Sequence, residues 1–186
     1  MLVERDLIMA ARRHYGANMI GACNTYALGF ESDLIMVSEC GYATEFEAKI
    51  SVADFRADAK KARKHRQLQT GRTQPLYGPS SEQPIKHFWY VVPDSLVAKV
   101  QPELPEYAGL LSVSEKTIEH RFPFSDRVFT ETVIRSRIER HAPALSCRKV
   151  TDKETHALVR CMYYKAWRNA TIAWKARRQA PPGGPA

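Results

Sequence analysis

The sequence contains neither a long apolar run nor a cysteine motif typical of a metal site. No stretch of about eighteen apolar residues occurs in it, which argues against a membrane-spanning helix. Its cysteines are far apart without CxxC spacing, so zinc is not indicated and buried free thiols are expected. The segment MLVERDLIMAARR contains acidic residues and lacks the apolar region of a signal peptide. These absences predict a soluble, cytoplasmic protein without a membrane partner.

Acidic residues are the smaller charged class. The chain has 20 Asp and Glu against 28 Lys and Arg, a formal net charge of +8 at pH 7. Clustered cations displace counter-ions from nucleic-acid phosphates, so this balance favours a polyanionic partner, although a solvated basic surface is the alternative. The length of 186 residues and the apolar fraction of 44% are typical of one domain with its own core.

The first half of the chain alternates helical and strand patterns. Apolar residues at helical spacing predict a helix over 4–15, ended by Gly16, and the apolar segment 18–29 predicts a strand. Two apolar runs around ECGY predict a hairpin of strands 32–38 and 44–51. Ser51 is a candidate N-cap for a basic helix over 51–66, with Val52, Phe55 and Ala59 facing inward.

The second half adds further strands and two more helices. We expect a long loop, two strands separated by a short helix, and then helices over 126–140 and 153–178. The loop covers 67–86, the strands cover 87–93 and 107–114, and the short helix begins at Asp94. This order predicts an α/β (α+β) sandwich in which helices flank a central mixed sheet. We divide it into a core (1–115), a C-terminal helical extension packed on the core or on a partner (116–178) and a disordered tail (179–186).

The segment TEFEAKIS, residues 44–51, places charges at alternate positions of a strand. Side chains alternate between the two faces of a strand, so Glu45, Glu47 and Lys49 share one face and the apolar residues share the other. The charged face is therefore expected to meet water or a ligand. Pairing across the hairpin brings Asp33 within a residue or two of Glu47 and Lys49.

These residues have the chemistry of a divalent metal site. The carboxylates of Asp33 and Glu47 and the backbone carbonyl of Ala48 are hard oxygen ligands suited to Mg²⁺ or Mn²⁺. Lys49 can position a nucleophile or neutralise the charge that develops on a phosphate. The alternative is a set of weak salt bridges on a wet sheet face.

The segment from Glu31 to His65 resembles the core of PD-(D/E)xK superfamily nucleases, in particular small phage and bacterial members. In those proteins the E-x-K strand runs directly into an S-x-x-D-F helix. Here Asp33 matches the first acid, and Glu47 and Lys49 match E-x-K. The helix start is matched by Ser51, Asp54 and Phe55, whereas Ser32 stands where proline usually precedes the first acid.

The resemblance implies a restriction-endonuclease-like core over 1–115. It also implies Mg²⁺- or Mn²⁺-dependent hydrolysis of DNA phosphodiester bonds. The enzyme would be an endonuclease or exonuclease that acts in phage or bacterial DNA processing, recombination or repair. Asp33, Glu47 and Lys49 would be catalytic, and Asp33, Glu47 and the Ala48 carbonyl would hold the metal. Candidate outer carboxylates are Glu4, Glu31 and Glu45. The basic helix would contact nucleic acid through Lys60, Lys61, Arg63, Lys64 and Arg66. The cell would be a bacterium or a phage-infected host.

A different class of function stays open. The same scaffold could serve as a catalytically weak DNA-binding or protein-binding module, such as a phage accessory or inhibitor protein. The C-terminal helix combines basic residues with Tyr163, Tyr164, Trp167 and Trp174. Stacking on nucleic acid is one interpretation, but the spacing of Tyr163, Trp167 and Trp174 favours packing on the core or on a second copy in a homodimer.

Overall fold

A computed structural model describes residues 2–16, 19–73, 79, 81–121 and 128–179 of the protein. Within these ranges the strands form one six-stranded sheet in the order β1-β2-β3-β4-β5-β6. The strands are β1 (Ile20–Thr25), β2 (Ser32–Val37), β3 (Ala43–Ala48), β4 (Ile85–Pro93), β5 (Ala108–Arg121) and β6 (Val128–Arg140). The helices are α1 (Glu4–Tyr15), α2 (Val52–Asp58), α3 (Ala62–Thr70), α4 (Val97–Val100) and α5 (Asp152–Gln179). The predicted α/β class with a mixed central sheet is confirmed.

The sheet combines an antiparallel meander with a parallel centre. Strands β1, β2 and β3 pair antiparallel, β3–β4 and β4–β5 are parallel, and β5–β6 is antiparallel. The predicted hairpin is confirmed, with Leu34 opposite Phe46 and Ile35 opposite Glu45. Its turn is closed by a 2.8 Å hydrogen bond from the Gly41 N–H to the Ser38 carbonyl.

Each face of the sheet carries its own apolar cluster. Helix α1 packs on one face, where Leu7 and Ala11 meet Leu34, Phe46 and other alternate strand residues. Helices α2 to α4 and the start of α5 cover the other face through Phe55, Leu68, Val100 and Leu158, and Leu104, just after α4, joins them. Strand β3 lies in the middle of this sandwich and is buried along its whole length. Its charged side chains are consequently enclosed rather than open to bulk water.

The predicted helix over 51–66 is two helices. Ser51 caps α2 as expected, because its hydroxyl accepts a 3.1 Å hydrogen bond from the Asp54 N–H. The chain breaks after Asp58 and restarts at Ala62, and α3 then continues to Thr70, inside the predicted loop. At about 100° per residue, a continuous helix would put Lys64 about 120° away from Asp58. Both side chains are buried beside β3, and only a break allows both to face the sheet. Ala59, expected to face inward, is exposed.

The predicted helix over 126–140 is wrong, since residues 128–140 form strand β6. Val128, Thr130, Thr132, Val133 and Ile134 are β-branched and suit a strand that has a partner. β5 supplies that partner and extends to Arg121, well past its predicted end. The proposed boundary at residue 115 therefore falls inside β5, and the extension is not wholly helical. Beyond Val113, β5 pairs only with β6 in the described part of the chain.

The long C-terminal helix is confirmed as α5, which runs along β1. Lys165 anchors it, because its ammonium group donates to the backbone carbonyls of Cys23 and, at 2.7 Å, of Asn24. The thiols of Cys23, Cys40 and Cys147 are exposed, contrary to expectation. The predicted disordered tail lies outside the described residues, apart from Gln179 at the end of α5. None of the described helices is long and apolar enough to cross a membrane.

Candidate functional site

The charged face of β3 is buried. Exposed fractions are 3% for Glu45, 1% for Glu47 and 5% for Lys49. This face was expected to meet water or a ligand. Contact with bulk water is ruled out, because α2 and α3 cover the face and supply counter-charges, and contact with a ligand stays a prediction. An ionised group without such partners would be very costly to bury at this depth.

Glu47 is held by ammonium groups on both carboxylate oxygens. Lys49 lies 3.0 Å from Oε2, and Lys61 approaches the same oxygen at 4.0 Å. Lys64, which is buried, forms an ion pair with Oε1. Lys64 also pairs with Glu45 at 2.6 Å and so bridges the two glutamates of the strand. Attraction from Glu45 and Glu47 outweighs the effect of burial, so the pKa of Lys64 is raised.

Asp58 fixes the other side of Lys49 and was not predicted as a site residue. Its Oδ1 lies 3.3 Å from the Lys49 ammonium and 2.9 Å from that of Lys61. The Tyr90 hydroxyl donates to Oδ2 at 2.8 Å. His65 Nε2 faces two acceptors, the Asp58 carbonyl oxygen at 2.8 Å and Oδ2 at 3.2 Å, and therefore donates to this residue. Lys49 is held between Glu47 and Asp58 as a result.

The charges of this network balance. Three carboxylates, from Glu45, Glu47 and Asp58, face three ammonium groups, from Lys49, Lys61 and Lys64. Burial would raise the pKa of Asp58, but His65, Lys49, Lys61 and Tyr90 hold it well below its usual range. Burial would lower the pKa of Lys49, but Glu47 and Asp58 raise it. Both groups are therefore charged at neutral pH.

Asp33 lies beside this network without joining its ion pairs. Its Oδ2 accepts a 2.9 Å hydrogen bond from the N–H of Ala48, which locks the start of β2 to the end of β3. Burial and the nearby negative charge of Glu47 raise the pKa of Asp33 from 3.8 to about 7. The structure thus brings Asp33, Glu47 and Lys49 together, with Asp33 as the carboxyl group least compensated by positive charge.

Asp33 opens into a cleft of about 760 Å³ between α1 and α5. Among the described residues that line it, four are basic and two, Glu4 and Asp33, are acidic. The basic residues are Arg5 and Arg12 on α1 and Lys165 and Arg168 on α5. The cleft was not predictable from sequence patterns, because it requires α5 to pack along β1 and face α1 across the cleft, which no local spacing encodes.

The residues predicted to contact nucleic acid divide into two groups. Lys60, Arg63 and Arg66 are exposed, and Lys61 is half exposed while paired with Asp58. Lys64 is buried, so direct contact with a phosphate does not fit its position, and it acts as the counter-ion of Glu45 and Glu47. None of these five residues lines the basic cleft between α1 and α5.

The predicted outer carboxylates lie in different surroundings. Glu4 lines the cleft, and its charge contributes to the raised pKa of Asp33. Glu45 accepts a 2.7 Å hydrogen bond from the Ser32 hydroxyl, and burial raises its pKa despite the pairing with Lys64. Glu31 is exposed, although its backbone carbonyl accepts a 3.2 Å hydrogen bond from Lys64.

The predicted metal ligands fit a hard divalent cation in kind. Asp33, Glu47 and the Ala48 carbonyl offer oxygen donors, and a cation would relieve the repulsion that raises the pKa of Asp33. Both oxygens of Glu47 already face ammonium groups, so a cation would have to share an oxygen with Lys64 or Lys49 or displace one of them. Within the described ranges, no group of three or more His, Cys, Asp and Glu side chains is arranged to hold a metal.

Asp33→Asn is expected to stabilise the protein more at pH 8 than at pH 5. The folded-state pKa of Asp33 is raised to about 7, so folding opposes its ionisation and its contribution to stability falls as pH rises from about 4 to 7. Allowing for its partial exposure, we expect a gain of about 1–2 kcal/mol at pH 8. Urea unfolding at both pH values measures this difference in the free energy of unfolding. The control is Glu39→Gln, which changes an exposed carboxyl group in the turn. Equal effects at the two pH values would contradict the assignment.

Comparisons with known proteins show a shared fold and no family. A search of solved structures found a protein of unknown function from Silicibacter pomeroyi that is 17% identical, with 99% of each chain covered and a TM-score of 0.55. At this identity the likeness shows the fold alone. No protein-family model matches the sequence, and a search of the curated proteins found no significant match.

Proposed function

We propose that the protein is a divalent-metal-dependent nuclease that hydrolyses phosphodiester bonds in DNA, with a restriction-endonuclease-like core. One observation carries the proposal: Asp33, a carboxyl with a pKa raised to about 7, lies beside Glu47 and Lys49 and opens into a cleft with a basic rim. A carboxyl group whose pKa is raised by burial and by a neighbouring carboxylate, next to a fixed ammonium group and in a cleft, marks a candidate functional site.

Each residue has a distinct role in the proposed reaction. Asp33, Glu47 and the Ala48 carbonyl would hold Mg²⁺ or Mn²⁺, which supplies Lewis acidity toward a phosphate oxygen and the attacking water. Lys49 is held by Glu47 and Asp58, so its ammonium group can orient that water or offset charge on the phosphate. Asp58 acts through Lys49 and is a positioning residue.

The basic rim of the cleft would bind the DNA backbone. Arg5, Arg12 and Arg168 are exposed and can contact phosphates, whereas Lys165 mainly holds α5 against β1. Because the rim is cationic and the floor contains Asp33, a phosphodiester drawn into the cleft meets the candidate catalytic residues. Binding should consequently weaken as salt concentration rises.

The experiment is cleavage of plasmid and branched DNA with Mg²⁺, with Mn²⁺ and with EDTA. We expect cleavage with either metal and none with EDTA. Asp33→Asn should lower the rate at least about 100-fold, because it removes a ligand charge at the metal. Asp33 is the informative position, since its replacement is not expected to unfold the protein.

The matched control is Glu39→Gln, which changes an exposed carboxyl in the β2–β3 turn and should cleave at the parental rate. A parental rate for Asp33→Asn, or cleavage that persists in EDTA, would remove the proposal. Lys49→Arg keeps the positive charge between Glu47 and Asp58 but changes the position of the donor atoms. It tests the second role, with a lower rate expected at unchanged DNA affinity.

The engagement of Glu47 by Lys64 favours a second candidate function. If a cation can neither share an oxygen of Glu47 with Lys64 or Lys49 nor displace one of them, the protein is a DNA-binding module that has kept the scaffold without useful catalysis. Salt-sensitive DNA binding without metal-dependent cleavage would identify this function. Binding that is equally strong in Arg12→Glu and Arg168→Glu would exclude the cleft from either role.

A further inference from the structure

Helix α5 carries a row of exposed aromatic side chains on its outer face. The exposed fractions are 64% for Tyr163, 66% for Trp167 and 55% for Trp174. Their spacing of four and seven residues places them on one side of a helix. Leu158 and Lys165 lie on the opposite side, where Leu158 is buried and Lys165 bonds to β1. Packing of these aromatics on the core, one of the sequence-based expectations, is therefore wrong.

The charge of α5 distinguishes between the partners that could cover this row. From Thr155 to Gln179 the sequence contains no Asp or Glu and six Lys and Arg. They are Arg160, Lys165, Arg168, Lys175, Arg177 and Arg178. The acidic residues of α5 lie in its first turn, where Glu154 already pairs with Arg148. Pairing the segment 155–179 with itself in a second copy would therefore bring like charges together, whereas a polyanion gains favourable contacts along this segment.

We propose that the outer face of α5 binds single-stranded DNA by stacking bases on Tyr163, Trp167 and Trp174. A rise of about 1.5 Å per residue puts Tyr163 and Trp174 about 16 Å apart along the helix, room for several nucleotides. Aromatic side chains beside cations are the usual means of binding single strands without sequence preference. Bases in a duplex are already stacked on each other, so a duplex cannot offer their faces to the helix.

This inference deepens the proposed function by naming single-stranded or partly single-stranded DNA as the substrate of the nuclease. It rests on the proposed function only for the statement that the bound strand is cleaved. Arg168 follows Trp167 directly and lines the cleft that contains Asp33. A strand stacked on Trp167 can thus pass over Arg168 toward Asp33. Stacking itself requires neither metal nor cleavage.

The test is titration of tryptophan fluorescence with an oligothymidine of roughly 16 nucleotides, without metal. Trp89 is buried, so changes on binding report Trp167 and Trp174. We expect quenching by the single strand and binding at least about ten-fold weaker to a blunt duplex of equal length. Trp167→Ala and Trp174→Ala should each weaken binding about ten-fold. Phe129→Ala, which removes an exposed aromatic on β6, is the control and should change nothing.

Absence of quenching, or equal affinity for the duplex, would overturn the proposal. So would a dimer of the parent protein that Trp167→Ala converts to monomers, because the row would then be an interface between copies. Tighter binding of an oligouridine than of oligothymidine would move the ligand from DNA to RNA and overturn it too. The two proposals are tested separately. If the single strand quenches tryptophan fluorescence but no DNA is hydrolysed, only the nuclease proposal is removed.

Discussion

Asp58→Asn is expected to lower the free energy of unfolding by about 3–5 kcal/mol, the usual cost of breaking a buried ion pair by removing one partner. Asp58 is buried and neutralises Lys49 and Lys61 while accepting a hydrogen bond from Tyr90. The amide cannot offset the buried Lys49 charge. For a chain of this size the thermal midpoint should drop by about 10 °C, which urea and thermal unfolding measure.

The matched control is Glu103→Gln, which breaks the exposed pair between Glu103 and Arg56. That change should cost less than about 1 kcal/mol.

Acid titration adds a second readout. The pKa of Asp58 is held below its usual range, so its stabilisation is present above about pH 4 and is lost as pH falls further. Asp58→Asn should lack this acid-dependent component. Equal costs for the two variants would show that the network does not support the fold.

Lys64→Met is expected to destabilise the protein by about 3–5 kcal/mol in EDTA and to make its stability depend on divalent cations. The ammonium of Lys64 pairs with Glu45 and Glu47. Its loss leaves buried Glu45 without this ion pair, beside a Glu47 that keeps only Lys49 and Lys61. Mg²⁺ or Mn²⁺ can replace the missing charge, and saturating cation should restore about 5 °C of the thermal midpoint by mass action. Unfolding in EDTA and in each metal measures the effect.

The double variant Lys64→Met with Glu45→Gln separates charge from packing. Removing one carboxylate together with the ammonium should recover most of the lost stability and reduce the response to metal. If Mg²⁺ raises the thermal midpoint of Lys64→Met no more than that of the parent, Glu47 cannot hold a cation even when Lys64 no longer occupies Oε1. That result would leave DNA binding as the better-supported function.

The parts of the fold with strong local signals were predictable from the sequence. Helix α1 has apolar residues at helical spacing and a glycine at its end, and the β2–β3 hairpin has a turn that Gly41 permits with a φ of 82°. Alternation along β3 correctly placed Glu45, Glu47 and Lys49 on one face. Each of these features depends on neighbours in the chain.

Features that depend on distant partners were not predictable in the same way. Residues 128–140 form a strand because β5 pairs with them. Taken alone, the apolar spacing of the same segment predicts a helix. The break between α2 and α3 follows from the need to bring Asp58 and Lys64 to the same strand. Local periodicity contains neither requirement.

The site was predicted in part. Asp33, Glu47 and Lys49 converge as expected. The role of Lys64 as a counter-ion was not predicted, because a run of basic residues usually indicates a helix face exposed to solvent. Asp58 did leave a signal. It follows Phe55 by three residues, so a helix that buries Phe55 also turns Asp58 inward.

The outer parts of β5 and β6 form a two-stranded ribbon that leaves the sheet after Val113. Its backbone hydrogen bonds are internal, and the described side chains from Glu115 to Thr117 and from Val128 to Thr132 are exposed. Such a ribbon can fray and re-form from its outer end up to Ile134, which packs against the apolar cluster around α1. We therefore expect two levels of rigidity: a sandwich that unfolds as a whole, and an arm whose amide protons exchange with solvent independently of it.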